Sequence, residues 1–376
     1  YTIEAVYTDP AGNFTTSNDS THTLTVNPIP SFIVTNTNDS GTGSLRAALA
    51  SAATAGGGNI TFDAGAFGSG ATITLQSSLT IPDNTTITGL TSGGGASLQN
   101  LVTVDGGSSG HFSIFTVNSG TTGAAISNLV IAHGSGLVAA PNVFGGGIIN
   151  SGTLTVTNST FSANTLGAAG LGGAIYNDVT GTLTIAGSTF SGNSVGPNGI
   201  GGAILNANEL TVTNSTFSAN SAGATGEGGA IFNAGTMTLT SDTFSGNSVG
   251  ASGFGGALFD AQVMTINNSI LSQDGDECAG NGCPTSILGG NLIDPTGTQT
   301  LLAPLGNYGG PTQTMILLPG SLAICAGSAS AVANAGLSTD QRGTALGLST
   351  SNAGTYTGAG GYCSAGFLDM GAVETS

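Results

Sequence analysis

The feature that most restricts what this chain can fold into is an internal repeat. Segments reading Gly-Gly-Gly-Ile-Ile-Asn, Gly-Gly-Ala-Ile-Tyr-Asn, Gly-Gly-Ala-Ile-Leu-Asn, Gly-Gly-Ala-Ile-Phe-Asn and Gly-Gly-Ala-Leu-Phe-Asp end at Asn150, Asn177, Asn206, Asn233 and Asp260, in steps of 27, 29, 27 and 27 residues. Each period holds two more segments. One alternates threonine with an aliphatic pair: Leu154 and Val156, Leu183 and Ile185, Leu210 and Val212, Met237 and Leu239, Met264 and Ile266. The other runs from a phenylalanine (Phe161, Phe190, Phe217, Phe244) to an asparagine (Asn164, Asn193, Asn220, Asn247). Period-2 alternation bounded by Gly and Asn specifies short strands with one buried face.

A period of this length is too short for a four-stranded propeller blade and lacks the spacing of leucine-rich repeats, but it suits one turn of a three-faced parallel β-helix. The expected fold is therefore all-β, a solenoid with three strands per coil stacked at about 4.8 Å. Ile175, Ile204, Ile231 and Leu258 form one inward ladder. Phe161, Phe190, Phe217 and Phe244 form a second, and Val156, Ile185, Val212 and Leu239 a third. Asn177, Asn206 and Asn233 turn corners, either in a left-handed conformation or by laddering with the neighbouring coils. All of these are structural assignments.

The same pattern divides the chain. Coils run from residue 71 to 271, with the upstream ones less regular. Residues 31–70 form an N-terminal cap holding one helix, Ser44 to Thr54, which Ser44 caps and Gly56 to Gly58 stop. Residues 272–376 form irregular C-terminal coils and a disulfide-stabilised cap: weak strands at Leu292 to Ile293 and Met315 to Leu318, a long loop between Cys325 and Cys363, and a last strand near Met370 to Val373. Residues 1–30 are a separate hairpin of alternating strands carrying Tyr1, Ile3, Ala5, Tyr7, Leu24 and Val26. A lone hairpin is marginal and needs a sheet to join.

Composition narrows function. The only cations are Arg46 and Arg342, against 19 acidic residues, giving a net charge of -17. Nothing is left to neutralise phosphates or anionic headgroups, so nucleic acid and acidic membranes are poor partners. Apolar runs are too short for direct membrane insertion. An even count of 4 Cys in such a chain points to an oxidising, extracellular setting. Three pairings are open, the simplest joining Cys278 to Cys283 and Cys325 to Cys363. Zinc is the competing reading, but His22, His111 and His133 lie far upstream.

No constellation for catalysis is visible. A polysaccharide lyase needs a base beside an acidic calcium cluster, and a hydrolase needs carboxyl groups held together on one face. Asp178, Asp242 and Asp260 fall at different phases of their coils. Arg46 reads as a cap-packing residue, and Arg342 as a structural partner of Asp340. Asp274, Asp276 and Glu277 read as a solvated acidic loop beside a disulfide, with Ca²⁺ binding as the weaker alternative. No other cofactor is implied. Asn84 and Asn214 stand in glycosylation sequons that this composition produces by chance.

The GGAI/GGAL tetrapeptides at Gly172, Gly201, Gly228 and Gly255, with FxxN at Phe161, Phe190, Phe217 and Phe244, resemble the repeats of chlamydial polymorphic outer-membrane proteins. The passengers of those proteins are β-helical adhesins. Over about residues 33 to 374, the segment VTNTNDSGTGSLRAAL (Val34 to Leu49), ITF (Ile60 to Phe62), TDQRG (Thr339 to Gly343) and DMGAVE (Asp369 to Glu374) resemble secreted bacterial right-handed β-helix proteins with a variable C-terminal anchor. Cys325 departs from the Asp usual in that family. Residues 1–28 are similar to the last strands of a bacterial Ig-like repeat. The resemblance implies a single-stranded right-handed β-helix in an exported surface protein, and a chain that begins inside an Ig-like unit, as a processed subunit would.

The functional expectation is an extracellular structural protein at the bacterial cell surface. It associates with copies of itself head to tail, its terminal strands in residues 1–28 adding to a neighbour's sheet. The alternative is a monomeric adhesin, a stalk whose flat walls meet a glycan or host surface. A polysaccharide lyase or hydrolase is the second alternative.

Overall fold

A computed structural model describes residues 29–93, 98–107, 111–139, 142–281, 283, 290–346, 356–358, 361–363 and 367–373. They form a parallel β-solenoid of about nine turns. Three parallel sheets run its length: nine strands from Ser31–Val34 to Val263–Asn267, nine from Ala71–Thr74 to Leu292–Asp294, and eight from Leu79–Thr80 to Cys278–Gly280. We call them the threonine, phenylalanine and asparagine sheets after their repeated residues. A fourth ladder, beyond the three strands expected per coil, joins the two-residue strands Thr165–Leu166, Ser194–Val195, Ser221–Ala222 and Ser248–Val249.

The pairing places equivalent residues of successive coils directly over one another, so a side chain that fits one coil fits the next. Phe161, Phe190, Phe217 and Phe244 are fully buried and stack with ring centroids 4.7 Å apart and planes within 3 to 8°. The ladder Ile175, Ile204, Ile231 and Leu258 and the ladder Val156, Ile185, Val212 and Leu239 are buried to the same degree. All belong to one continuous core.

Polar residues inside the coils largely satisfy each other, the buried Oδ2 of Asp260 being an exception. Nδ2 of Asn150 donates to Oδ1 of Asn177, and the relay continues through Asn206 and Asn233 to Asp260 at 2.6 to 2.7 Å. A parallel relay runs from Asn164 through Asn193, Asn220 and Asn247 to Asp274, each step 2.9 Å. Burying an amide without partners costs on the order of 1–3 kcal/mol, and the relay removes that cost. Of the two roles open to Asn177, Asn206 and Asn233, the ladder is the one realised.

Left-handed corners fall to other columns. Asn128, Asn158, Gly187, Asn214, Ser241 and Asn268 turn the chain between the threonine and phenylalanine sheets with positive φ. His133, Ala163, Gly192, Ala219, Gly246 and Gln273 do so after the phenylalanine sheet. The first glycine of each GGA segment serves the third corner: at Gly201, φ is +68° and an added Cβ would lie 2.2 Å from the carbonyl oxygen of Ile204.

The N-terminal end is closed by the helix Leu45–Ala55, α1. Ser44 caps it and Leu45, Ala48, Leu49 and Ala52 are buried. The segment expected as a cap also supplies two rungs of the threonine sheet, Ser31–Val34 and Gly58–Phe62, and a short second helix, Ala64–Phe67, α2. Residues 1–28, including Tyr1, Ile3, Ala5, Tyr7, Leu24 and Val26, lie outside the described residues.

The C-terminal region departs most from expectation. Leu292–Asp294 is a strand, but Met315 to Leu318 makes only an isolated antiparallel bridge, Leu302 to Leu317. The stretch between Cys325 and Cys363 holds a helix, Ala329–Asn334, α3, capped by Ser328 and anchored by buried Val332. Among the described residues the last strand is Phe367–Leu368, antiparallel to Gly327–Ser328, not Met370 to Val373. Cys278 and Cys283 are bonded, with Cα atoms 5.6 Å apart. Cys325 is disulfide-bonded as well, while the side chain of Cys363 lies outside the described ones.

This region does more than cap. It folds back as a strap over the outer face of the phenylalanine sheet, where Thr189, Thr216 and Thr243 receive it. The buried Gln341 is its clasp: Nε2 donates to Ser188 O, Thr189 Oγ1, Thr312 Oγ1 and Gln313 O at 3.1 to 3.3 Å, and Oε1 accepts from Thr216 Oγ1 at 2.6 Å. Thr243 Oγ1 accepts from the amide of Ala372.

Candidate functional site

The charged residues singled out in the sequence are consumed by structure. Arg46 donates to Asp39 Oδ1 at 2.7 Å and to the carbonyls of Asp39, Ser77 and Ser78, tying α1 to the loop beneath it. Arg342 holds Asp340 Oδ2 through Nε and Nη2 at 2.8 and 2.6 Å. His133 Nδ1 pairs with Asp105 Oδ2 at 2.8 Å, and His111 is exposed.

The acidic loop is not solvated as expected. Asp274 and Glu277 are buried, while Asp276 is exposed. Asp274 ends an asparagine relay and takes the amide of Ser272. Glu277 Oε1 accepts from the amide of Asp274, and Asp276 Oδ2 from that of Gly255. Their bonded oxygens are turned to separate donors, and the buried Glu277 Oε2 has no hydrogen-bond partner. Among the described residues no group of three or more His, Cys, Asp or Glu side chains is disposed to hold a metal ion. Burial pushes Asp274 and Asp242 well above the usual carboxylate range, and Glu277 up as well. Asp294 lies below that range because the amides and hydroxyls around it outweigh its own desolvation.

What the interior does not use is presented on the walls. The threonine sheet shows in-register hydroxyls outward, as in Thr155, Thr184, Thr211, Thr238 and Thr265. The strap covers the phenylalanine sheet. On the asparagine sheet, alternation turns Ile149, Tyr176, Leu205, Phe232 and Phe259 outward in one column, in which Leu205 is buried at 5% exposure and the other four are half-buried. Phe232 and Phe259 stack at 5.3 Å with planes 2° apart, and Phe144 packs on Tyr176 at 4.8 Å. Across the Gly-Gly corner, Leu171, Ile200, Glu227 and Phe254 form a second column, in which Phe254 is 56% exposed. Burial, then the charge of Asp178 and its hydrogen bond, pushes the Tyr176 phenol up to about 12.

The sequence reading named the buried half of each GGAI segment and passed over the outward residue between Ile and Asn. The signal was present, since that position reads Ile, Tyr, Leu, Phe, Phe where a solvated wall needs polar residues.

No known protein-family model matches the chain, and no curated protein matches it. Among the described residues no helix is long and apolar enough to cross a membrane, which says nothing of a β-barrel. The disulfides fit a compartment outside the reducing cytoplasm.

Proposed function

We propose that this is an extracellular structural protein, a rigid rod that associates with copies of itself at a cell surface. The observation that carries the reading is the apolar column on the asparagine sheet. Half-buried outward side chains at Ile149, Tyr176, Phe232 and Phe259, interrupted by the buried Leu205 and flanked by the exposed Phe254, mark an association surface on this thinly charged rod. Stacking uses the ring faces of Phe232 and Phe259 on each other, leaving edges toward a partner. Edges favour packing into another apolar protein surface over sugar rings, which lie on aromatic faces.

Both ends of the core are closed by the chain's own segments, α1 at one and the residues after Asp294 at the other. A head-to-tail joint therefore needs an added strand, the part assigned to residues 1–28, and a side-by-side joint needs a wall. Negative-stain microscopy with sedimentation velocity tests the proposal: filaments or paired rods are expected. Deleting residues 1–28 abolishes end-to-end growth, and Phe259→Asp abolishes lateral pairing. Single rods at every concentration would overturn self-association and return the weight to a monomeric stalk.

A further inference from the structure

We infer that a cleft between α3 and the threonine wall binds a short, uncharged saccharide. The cleft has a volume of about 390 Å³ and is floored by Thr238, Thr240 and Asn267, with Ser330 and Asn334 of α3 on its far side. Its remaining lining is Ser328 and the alanines Ala331 and Ala335. No lining residue is charged, in a chain carrying 19 acidic side chains.

Ser328 and Ser330 bond each other, and the remaining polar side chains of the cleft are unused. Thr240 is 2% exposed, and alternation with the inward Leu239 turns it toward the cleft. Among the described residues neither its hydroxyl nor the side chains of Thr238, Asn267 and Asn334 have a hydrogen-bond partner. The Thr240 hydroxyl opens onto the cleft at the base of an otherwise buried residue, where it is free to bond a ligand that both donates and accepts. Hydroxyls and carboxamides do both, which matches them to sugar hydroxyls and not to an ion of either sign. The threonine methyls and the two alanines offer apolar contact to the C–H face of a pyranose ring. The size fits one or two rings, within the usual range of small-molecule sites.

The walls of the cleft are fixed before any ligand arrives. Asn268 accepts from the amide of Ser328 at 2.8 Å and donates to Ser241 Oγ and Asp369 O at 3.0 and 3.2 Å, pinning the start of α3 to the coil beneath. Gly327–Ser328 pairs with Phe367–Leu368, which holds the helix from its other side. Binding at the cleft is independent of self-association, because none of its residues belongs to the apolar column.

Saturation-transfer NMR and calorimetry on the full chain, with neutral mono- and disaccharides of glucose, galactose, mannose and N-acetylglucosamine, test the inference. At least one sugar is expected to bind. Thr240→Val, which removes one oxygen at constant shape, and Asn334→Ala, at an exposed position, are each expected to weaken it about 10-fold or more. Because Asn334 is exposed, its variant keeps the fold whatever Thr240→Val does. Failure of every neutral sugar to bind, wild-type affinity in both variants, or binding of a uronic-acid disaccharide in their place would overturn it.

Discussion

Asn247 donates through Nδ2 to Oδ1 of Asp274 at 2.9 Å, and there a relay that hands a hydrogen from each coil to the next reaches a member that only accepts. Ending on a carboxylate satisfies the last amide but buries a charge. Asp274, Asp242 and Glu277 all have acidities weakened in the fold, so the folded state holds more protons than the unfolded chain once pH exceeds the ordinary carboxylate range. Their contribution is therefore full only below the ordinary carboxylate range and falls as pH rises from there through the raised values. Asp294, shifted downward, acts oppositely and only at lower pH. The melting temperature is expected to be higher at pH 5 than at pH 8. Asp242→Ser, which restores the serine found at Ser159, Ser188, Ser215 and Ser269 in this column, should flatten the slope. A wild-type melting temperature that climbs from pH 5 to pH 8 would refute the assignment.

Ala163 and Ala219 hold φ of 52 and 54° at a corner where the equivalent residues of intervening coils are Gly192 and Gly246. A Cβ in the left-handed region costs about 1–2 kcal/mol, partly offset by the greater freedom of glycine in the unfolded chain. Nothing would contact a Cβ at Gly192 or Gly246, so backbone strain is the whole difference. Ala163→Gly and Ala219→Gly should each stabilise by roughly 0.5–1 kcal/mol in chemical denaturation. The reverse change at Gly192 should destabilise by a similar amount.

Phe217 has a ring on each face at 4.7 Å. Phe217→Ala should cost about 3–5 kcal/mol, since coils held in register by their backbones cannot close over the cavity. Phe217→Leu should recover most of that loss. Equal costs for the two would mean that the ring stack, and not filled volume, carries the contribution.

Gln341 adjoins Arg342, one of only two sites at which trypsin can cut this chain. Gln341→Ala removes the clasp of the strap, deleting its bonds to Thr189, Thr216 and Thr312, and costs about 1–3 kcal/mol. Opening should be local, so cleavage after Arg342 should accelerate while the circular dichroism of the coils stays unchanged. Cleavage at the wild-type rate would show that the strap is held by other contacts.

The sequence was most informative where one coil dictates the next. Phe161 to Phe244, the Ile175 ladder and the Asn177 relay are visible in the repeat because stacking demands the same residue at the same height. The burial of Asp274 was visible too, standing 27 residues after Asn247, but proximity to Asp276 and Cys278 made it look like part of a polar loop. The strap was hidden. Gln341 meets Thr216 across 125 residues, a contact set by no periodicity. The helix Ala329–Asn334 is a short alanine-rich turn that only its Ser328 cap and buried Val332 distinguish from a loop.

Because Ala207 and Ala234 bond alike to the carbonyls of Asn177 and Asn206, the chain could pass from Asn206 directly into Ala234 and find every neighbour in its accustomed place. Loss or duplication of one such unit in the gene would shorten or lengthen the rod by a single 4.7 Å step and leave both ends untouched, the clasp meeting the threonine of the adjoining coil in place of Thr216. Length is thereby a heritable trait that can change in whole steps without redesign of the fold.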